Sequence, residues 1–187
     1  MAAIPFWDKM QTGNRMSLLE KIGSAIDRFS EKTGAVVSWL TTIIVLVVCY
    51  DVFSRYFLKI SMVAIQELEW HLFAVIFLLS AAYTLRHDRH VRVDLFYSRF
   101  SEKQKALVNF LGGIFFLLPF SVLAIWTSGK FFSISYAIKE TSPDPGGLPA
   151  RYVLKLVIPV AFSLVLLQTF SLLIHSFLTL RKSKNIG

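Results

Sequence analysis

The sequence predicts an all-α integral membrane protein with four transmembrane helices, both termini in the cytoplasm and an amphipathic in-plane helix at the amino-terminal end. The first observation is composition, because 55% of the 187 residues are hydrophobic and only 17% are charged, against about 25% charged in globular domains. The second is the grouping of apolar residues into four runs. Each run is long enough to cross a hydrocarbon core of ~30 Å at ~1.5 Å per residue.

We interpret the net charge of +8 as a signal of the orientation of the chain in the membrane and not as a sign of nucleic-acid binding. The Lys and Arg residues lie between the apolar runs, which is the pattern that orients membrane proteins. We therefore expect no nucleic acid among the partners. The single cysteine, Cys49, lies inside an apolar run, and we interpret it as a small apolar filler, since one cysteine forms no internal disulfide.

Residues 1–33 form a mixed, charged arm before the first apolar run. Its apolar residues recur at helical spacing, and charged residues occupy the other faces. This pattern is typical of a helix lying in the membrane interface. A solvated extension of the first membrane helix is the alternative. The apolar residues concerned are Leu18, Leu19, Ile22, Ile26 and Phe29.

The first two spans are predicted over residues 34–58 and 65–85. Asp51 and Arg55, four residues apart near the far end of span one, meet on one helix face, so they are candidates for an intramembrane or interfacial ion pair. Span two is apolar on every side from residue 72 to residue 85. A helix of this kind is surrounded by protein or by lipid.

The last two spans are predicted over residues 102–128 and 152–180. Ser101 followed by Gln104 predicts a capping box at the start of span three, and Pro119 predicts a kink that membrane helices tolerate. The loop over residues 141–151, TSPDPGGLPAR, is rich in turn-forming residues. Together the spans make a membrane domain, 34–180, that is followed by a basic cytoplasmic tail, 181–187.

The distribution of basic residues predicts the orientation. The arm, the loop over residues 86–105 and the tail hold 14 of the 20 Lys and Arg residues. By the positive-inside rule these three segments are cytoplasmic. The Pro/Gly loop and the start of span two then face outward, where Glu67 could also pair with Arg55.

No catalytic, cofactor-binding or metal-binding set emerges from the sequence. His71 and His175 lie near opposite ends of their spans, about 20 Å apart in depth at ~1.5 Å per residue, too far to share a haem iron. His87 and His90 stand among arginines, which disfavour a cation. We therefore predict neither an enzyme nor a bound cofactor.

The spans also lack a path for a polar substrate. Transporters place polar groups or broken helices at the middle of the membrane, whereas span two offers only Ser80 and span four only Gln168 at such depth. This pattern favours an accessory or scaffold subunit. A membrane anchor of a haem or other redox complex, and a four-helix transporter acting alone, remain as alternatives.

The region from Glu67 to Phe100, with the later SPDPGGLPARY, resembles the small membrane subunit, DctQ type, of tripartite ATP-independent periplasmic (TRAP) transporters. An acidic residue opens the second span, and the apolar stretch FLLSAAY follows at residues 77–83. Ser80 stands where many members have Gly. The motif closes with Arg86, His90, Val91, Arg92, Val93 and Asp94.

The resemblance implies a small permease subunit of a sodium-coupled, binding-protein-dependent transporter for organic acids in the bacterial inner membrane. Its partners would be a large elevator-type membrane subunit, a periplasmic substrate-binding protein and membrane phospholipids. Two sets of residues then become candidates for contacts. The inner set, for the large subunit or lipid, is Arg86, His90, Arg92 and Asp94. The outer set, for the binding protein, is Glu67, Glu69, Asp144 and Arg151, for which a plain capped turn is the alternative.

Overall fold

The computed structural model describes residues 18–87 and 100–184, with side chains up to residue 181, and this part of the chain is helical with no β-strand. We number the helices in chain order. They are α1 (Leu18–Phe53), which ends in a π-helical turn (Ser54–Leu58), α2 (Val63–Arg86), α3 (Glu102–Gly112), which passes through a second π-helical turn (Gly113–Leu117) into α4 (Leu118–Ala137), and α5 (Tyr152–Lys184).

Four helical segments of the described chain are long and apolar enough to cross a membrane. They are Leu18–Leu58, Val63–Arg86, Glu102–Ala137 and Tyr152–Arg181. Each contains one of the four predicted spans. The all-α class and the number of membrane-crossing helices are therefore as the sequence predicts, while the side of the membrane on which the termini lie stays a prediction.

Helix α1 runs without a break from the predicted arm into the first span. No proline interrupts it, and both of its glycines, Gly23 and Gly34, are buried at helix contacts. This continuity favours an extension of the first membrane helix over a separate in-plane helix. The apolar residues Leu18, Ile22 and Phe29 remain exposed along it.

The segment α3–α4 begins and bends where local sequence signals lie. Ser101 accepts a hydrogen bond from the Gln104 backbone N–H, and the Gln104 side chain accepts one from the Ser101 N–H, so the capping box is confirmed. The π-helical turn ends two residues before Pro119. Because proline has no N–H to donate and its ring crowds the preceding turn, the wider turn is a physical way to accommodate it.

Helix α5 is the centre of the bundle, since it contacts α1, α2, α3 and α4, while α1 and α2 also pack on each other. The small apolar core joins α2 to α5 through Ala82, Leu85, Val165 and Leu172. Helices α2 and α5 run in the same direction, and α1 and α3–α4 run against them. The last helix therefore separates the α1–α2 pair from α3–α4.

The bundle buries polar residues and exposes large apolar ones. Phe116 is 75% exposed and Phe73 63%, whereas Asp27, Ser121 and Thr169 are buried. An apolar surface of this extent is stable against lipid or an apolar partner and not against water.

Candidate functional site

The Pro/Gly loop is fastened to the start of α2 by one carboxylate. Glu67 is only 5% exposed, and both of its oxygens accept hydrogen bonds from the loop. The Ser142 hydroxyl donates to Oε1, and the Leu148 N–H donates to Oε2 at 2.6 Å. A Cβ at Gly147 would lie 2.8 Å from Glu67 Oε2, so the loop approaches α2 closely because this residue has no side chain.

Backbone hydrogen bonds close the same loop on itself. The Arg151 N–H donates to the Glu140 carbonyl oxygen at 2.9 Å, and the Ser142 N–H donates to the Leu148 carbonyl oxygen at 3.2 Å. Positive φ angles at Gly146 and Ala150 turn the chain between these bonds. The result is a compact loop whose tip, around Asp144, is exposed.

Glu140 fastens the other side of the loop. Its Oε2 accepts hydrogen bonds from the Lys155 ammonium group and, at 2.5 Å, from the Ser135 hydroxyl. The Lys155 hydrogen bond, and after it the Ser135 hydrogen bond, lower the pKa of the Glu140 carboxyl below its ordinary value. We call Glu67 and Glu140, with the groups that they bind, the outer clamp.

The four predicted outer-face residues occupy different environments. Glu67 points inward to the loop, and Asp144 is exposed at the loop tip. Glu69 is half-buried, and its Oε1 has no hydrogen-bond partner in the described part of the chain. The guanidinium of Arg151 lies 5.4 Å from the centre of the Trp70 ring. Glu67 thus takes its hydrogen bonds from Ser142 and Leu148, while Arg151, at the end of the same loop, lies over Trp70.

Asp51 and Arg55 form a salt bridge at the end of α1. The Asp51 residue is 4% exposed, whereas the Arg55 side chain is 48% exposed. Arg55 therefore pairs with the acid on its own helix, while Glu67 binds the Pro/Gly loop.

At the opposite end of α2, Glu31 of α1 holds Arg86, which belongs to the predicted inner set, and the neighbouring His87. Its carboxylate pairs with the Arg86 guanidinium and lies 3.2 Å from His87 Nε2. The His87 ring packs against Tyr83 at an inclined angle, with ring centroids 4.4 Å apart. Arg86 is thus held by an acid of the same chain. The other three inner candidates, His90, Arg92 and Asp94, lie outside the described residues.

A buried polar network joins the start of α1 to the end of α5. Asp27 Oδ1 accepts hydrogen bonds from the Ser171 hydroxyl at 2.7 Å and from Gln168 Nε2 at 3.0 Å. Its Oδ2 lies 3.1 Å from His175 Nε2. Gln168 Oε1 accepts a bond from the Ser30 hydroxyl at 2.6 Å. Four of these five residues are less than 9% exposed, namely Asp27, Ser30, Gln168 and Ser171.

Sequence reasoning missed this network because it placed Asp27 on the solvated face of the arm. A signal for it exists, since Gly23, Asp27 and Ser30 fall on one face of α1 at spacings of four and three residues. Gln168, Ser171 and His175 do the same on α5 at spacings of three and four. A polar stripe on a mostly apolar helix such as α5 indicates a face that pairs with another helix.

These polar groups fasten helices to one another and to the outer loop. Within residues 18–87 and 100–184, no three His, Cys, Asp or Glu side chains gather into a set that could hold a metal ion. The imidazole of His71 contacts the Glu67 carbonyl oxygen at 2.6 Å, far along the bundle from His175 in the buried network. The arrangement is suited to holding a rigid bundle in the membrane.

Comparison with known proteins identifies the family. The profile described as tripartite ATP-independent periplasmic transporters, DctQ component, matches residues 44–179, which is more than half of the chain. No curated protein and no solved structure matches the sequence. The matched region includes α2 with Glu67 and Arg86, the outer loop and nearly all of α5. The chain therefore belongs to the DctQ component family of the tripartite ATP-independent periplasmic transporters.

Proposed function

We propose that this DctQ component is the scaffold of its transporter, a small permease subunit that anchors a large elevator-type membrane subunit. The family is one of transporter components, and its tripartite architecture implies a large membrane subunit and a periplasmic binding protein as partners. The observation that carries the scaffold role is the use of the polar side chains. In the described chain Asp27, Glu31, Glu67 and Glu140 all bind groups of the same chain.

A scaffold needs no polar path, and the rest of the bundle agrees with this role. Most serine and threonine hydroxyls inside the helices donate to carbonyl oxygens of their own helix, as Ser80 does to Ile76 and Thr169 does to Val165. Large apolar side chains cover the outside. We propose that sodium coupling and the organic-acid site belong to the large subunit, which this chain holds in place.

We propose that this multi-pass protein lies in the bacterial inner membrane with both termini in the cytoplasm. The membrane domain would be 34–180, between the arm, 1–33, and the tail, 181–187. The basic residues that flank the apolar runs support this orientation. The exposed apolar residues at the start of α1 support contact of this segment with the inner membrane surface.

We propose further that the periplasmic binding protein docks on the tip of the outer loop, with Asp144 and Arg151 as contacts. Glu67 would act as a positioning residue behind the loop, because its side chain is buried and occupied. Glu69 would lie beside this surface. On the inner side, Arg86 with His90, Arg92 and Asp94 would fix the end of α2 against the following loop, lipid headgroups or the large subunit.

The scaffold proposal is tested by purifying the tagged chain from its host in a mild detergent and identifying the proteins that accompany it. A many-helix membrane protein in near-equal amount is the expected result. Transport by the reconstituted complex should then stop when this chain is left out. A chain that purifies alone and itself moves an organic acid into liposomes would overturn the proposal.

The docking proposal is tested on the same complex with the purified binding protein. We expect Asp144→Lys to weaken docking directly, while Glu67→Gln weakens it by loosening the loop. Glu102→Gln, at the exposed capped start of α3 and far from the loop, is the control. Unchanged docking in both loop variants, with the complex intact, would reject the outer loop as the contact.

A further inference from the structure

We propose that a groove on the outer half of α4 binds one phospholipid of the outer leaflet. In this arrangement the lipid phosphate binds the Lys130 ammonium group, and an acyl chain lies along the groove. The groove adjoins the outer clamp, since Ile134 lines the groove and Ser135 belongs to the clamp, and it is remote from the buried network. The inference concerns a ligand of this chain and does not depend on what the transporter carries.

The groove is a feature of a single helix face. Its volume is about 590 Å³, and it is largely open to the surroundings. Gly129 lines it and faces open space, because a Cβ there would meet no atom within 4 Å. The Ser133 hydroxyl turns back to the Gly129 carbonyl oxygen at 2.9 Å, so the groove surface stays mostly apolar. The lining residues are Ile125, Trp126, Gly129, Lys130, Phe132, Ser133 and Ile134.

Lys130 brings an unneutralised positive charge to this apolar groove. Its Nζ lies 3.9 Å from the centre of the Trp126 ring, a cation–π contact that holds the ammonium group at the groove edge. No carboxylate pairs with Lys130 within the described chain. Two of the acids at this end of the bundle have other partners, since Asp51 binds Arg55 and Glu140 binds Lys155. An anion from outside the chain is therefore the complementary ligand.

The depth of Lys130 fits a lipid phosphate. Lys130 precedes Ser135, a member of the outer clamp, by five residues, or about 7.5 Å along the helix. The ammonium group turns back over the Trp126 ring, so it lies at the level of Trp126, about one helical turn nearer the middle of the bundle than the Lys130 backbone. Trp126, 61% exposed, belongs to the residue type that marks the membrane interface.

These features favour a lipid over a partner helix as the occupant. A phospholipid carries an anionic phosphate and an apolar acyl chain on one molecule. These match the Lys130 ammonium group and the apolar groove beside it. A helix of another protein would have to place an acid beside Lys130 in the headgroup region, where lipid phosphates already compete for the charge.

The experiment is native mass spectrometry of the full-length chain, released from detergent after delipidation and titrated with phosphatidylglycerol. Wild type should retain one lipid at low lipid concentration. Lys130→Gln should bind this lipid about fivefold more weakly, the size expected for one lysine facing an anionic headgroup. Gly129→Leu fills this space without changing charge and should displace the lipid as well.

Lys139→Gln is the matched control. Like Lys130, Lys139 lies over an aromatic ring, with its Nζ 3.8 Å from the centre of Tyr136, but it does not line the groove. It should bind lipid as wild type does. Equal lipid retention in wild type and Lys130→Gln would overturn the proposal. So would equal loss in Lys139→Gln, or cross-linking of residue 130 to another protein, with no lipid retained, in the purified complex.

Discussion

Asp27 illustrates how single residues hold this bundle together. A carboxylate removed from water costs several kcal/mol unless its oxygens are fully engaged. Asp27 meets this condition with Ser171, Gln168 and His175, all from α5. Gly23 makes room for the last of them, since a Cβ there would lie 3.0 Å from His175 Nε2. The register of α1 on α5 is therefore set by one acid and one glycine.

Replacing Asp27 with alanine should destabilise the bundle. The change leaves buried donors on Gln168 and Ser171 without their acceptor, at about 1–3 kcal/mol for each unsatisfied group. The measurement is the thermal unfolding midpoint in detergent, which should fall clearly in Asp27→Ala. Lys32→Ala, an exposed position of the same helix, should leave it unchanged. An unaltered midpoint for Asp27→Ala would show that the network does not stabilise the fold.

Glu140 gives the outer loop a defined dependence on pH. Because hydrogen bonds from Lys155 and Ser135 lower its pKa in the folded protein, the stabilisation is complete above the ordinary Glu value of about 4.3. It is lost as pH falls through the lower, folded value. A spin label at residue 144, in a Cys49→Ser background, should keep its mobility from pH 7 to pH 5 and gain mobility at more acidic pH.

Glu140→Gln is the comparison for this titration. Its loop should already be more mobile at pH 7, and acid should change the mobility less than in wild type. If the two proteins give the same mobility at every pH, the Glu140 contacts do not restrain the loop.

At the scale of helices, close approach through glycine sets the packing of α1 against α2. A Cβ at Gly34 would lie 2.2 Å from Tyr83 Cδ2, inside the tyrosine ring's contact distance. The Tyr83 side chain is not free to rotate away, because its ring also packs against His87, which binds Glu31. The inner contacts of α1 and α2 therefore depend on Gly34.

Gly34→Ala should force α1 and α2 apart and cost about 1–3 kcal/mol, as overpacking does. Gly112→Ala is the matched control, since a Cβ at this helical glycine meets nothing within 4 Å and alanine favours the helix by up to about 1 kcal/mol. Thermal unfolding in the same detergent should show a lower midpoint for the first variant only. Equal midpoints would mean that the helices relax around the added methyl group.

At the scale of the whole molecule, the apolar parts of the helices do not line up. Contacts place Glu31 of α1 level with Arg86 of α2, and Ser30 level with Gln168 of α5. Yet α5 carries no Asp, Glu, Lys or Arg between Gln168 and Arg181, about 20 Å farther along the helix. If the bundle axis were parallel to the membrane normal, this half of α5, and α3 beside it, would lie outside the membrane.

We therefore expect the bundle axis to tilt strongly, toward the upper end of the range of about 0–40° seen for membrane helices. Tilting keeps the start of α1 at the inner membrane surface, with Lys32 open to water, and keeps the inner half of α3–α4 in lipid. In nanodiscs and a Cys49→Ser background, a cysteine at Lys32 should react with a membrane-impermeant maleimide, whereas one at Phe115, 66% exposed, should not. Equal reaction at both positions would indicate an upright bundle.

The amino-acid sequence by itself determined the features that depend on local or one-dimensional signals. The length of each apolar run is a property of contiguous residues, so the sequence alone predicted four helices long and apolar enough to cross a membrane. The Ser101–Gln104 cap involves residues three apart, and the Asp51–Arg55 pair residues four apart. The motif around Glu67 and Arg86 identified the family because it is contiguous in the sequence.

Only the tertiary structure decided what the polar residues of distant segments do. Asp27 and His175 are 148 positions apart, and Glu67 and Leu148 are 81 apart. Their helical periodicities show which faces are polar but not which faces meet, since many pairings of four apolar helices satisfy the same periodicity. The sequence suggested that Glu67 is a surface acid, whereas in the structure it binds the Pro/Gly loop. The sequence likewise grouped Asp27 with the charged faces of the arm, whereas in the structure it is buried and links the first helix to the last. Which faces meet is decided by side-chain packing across the whole bundle.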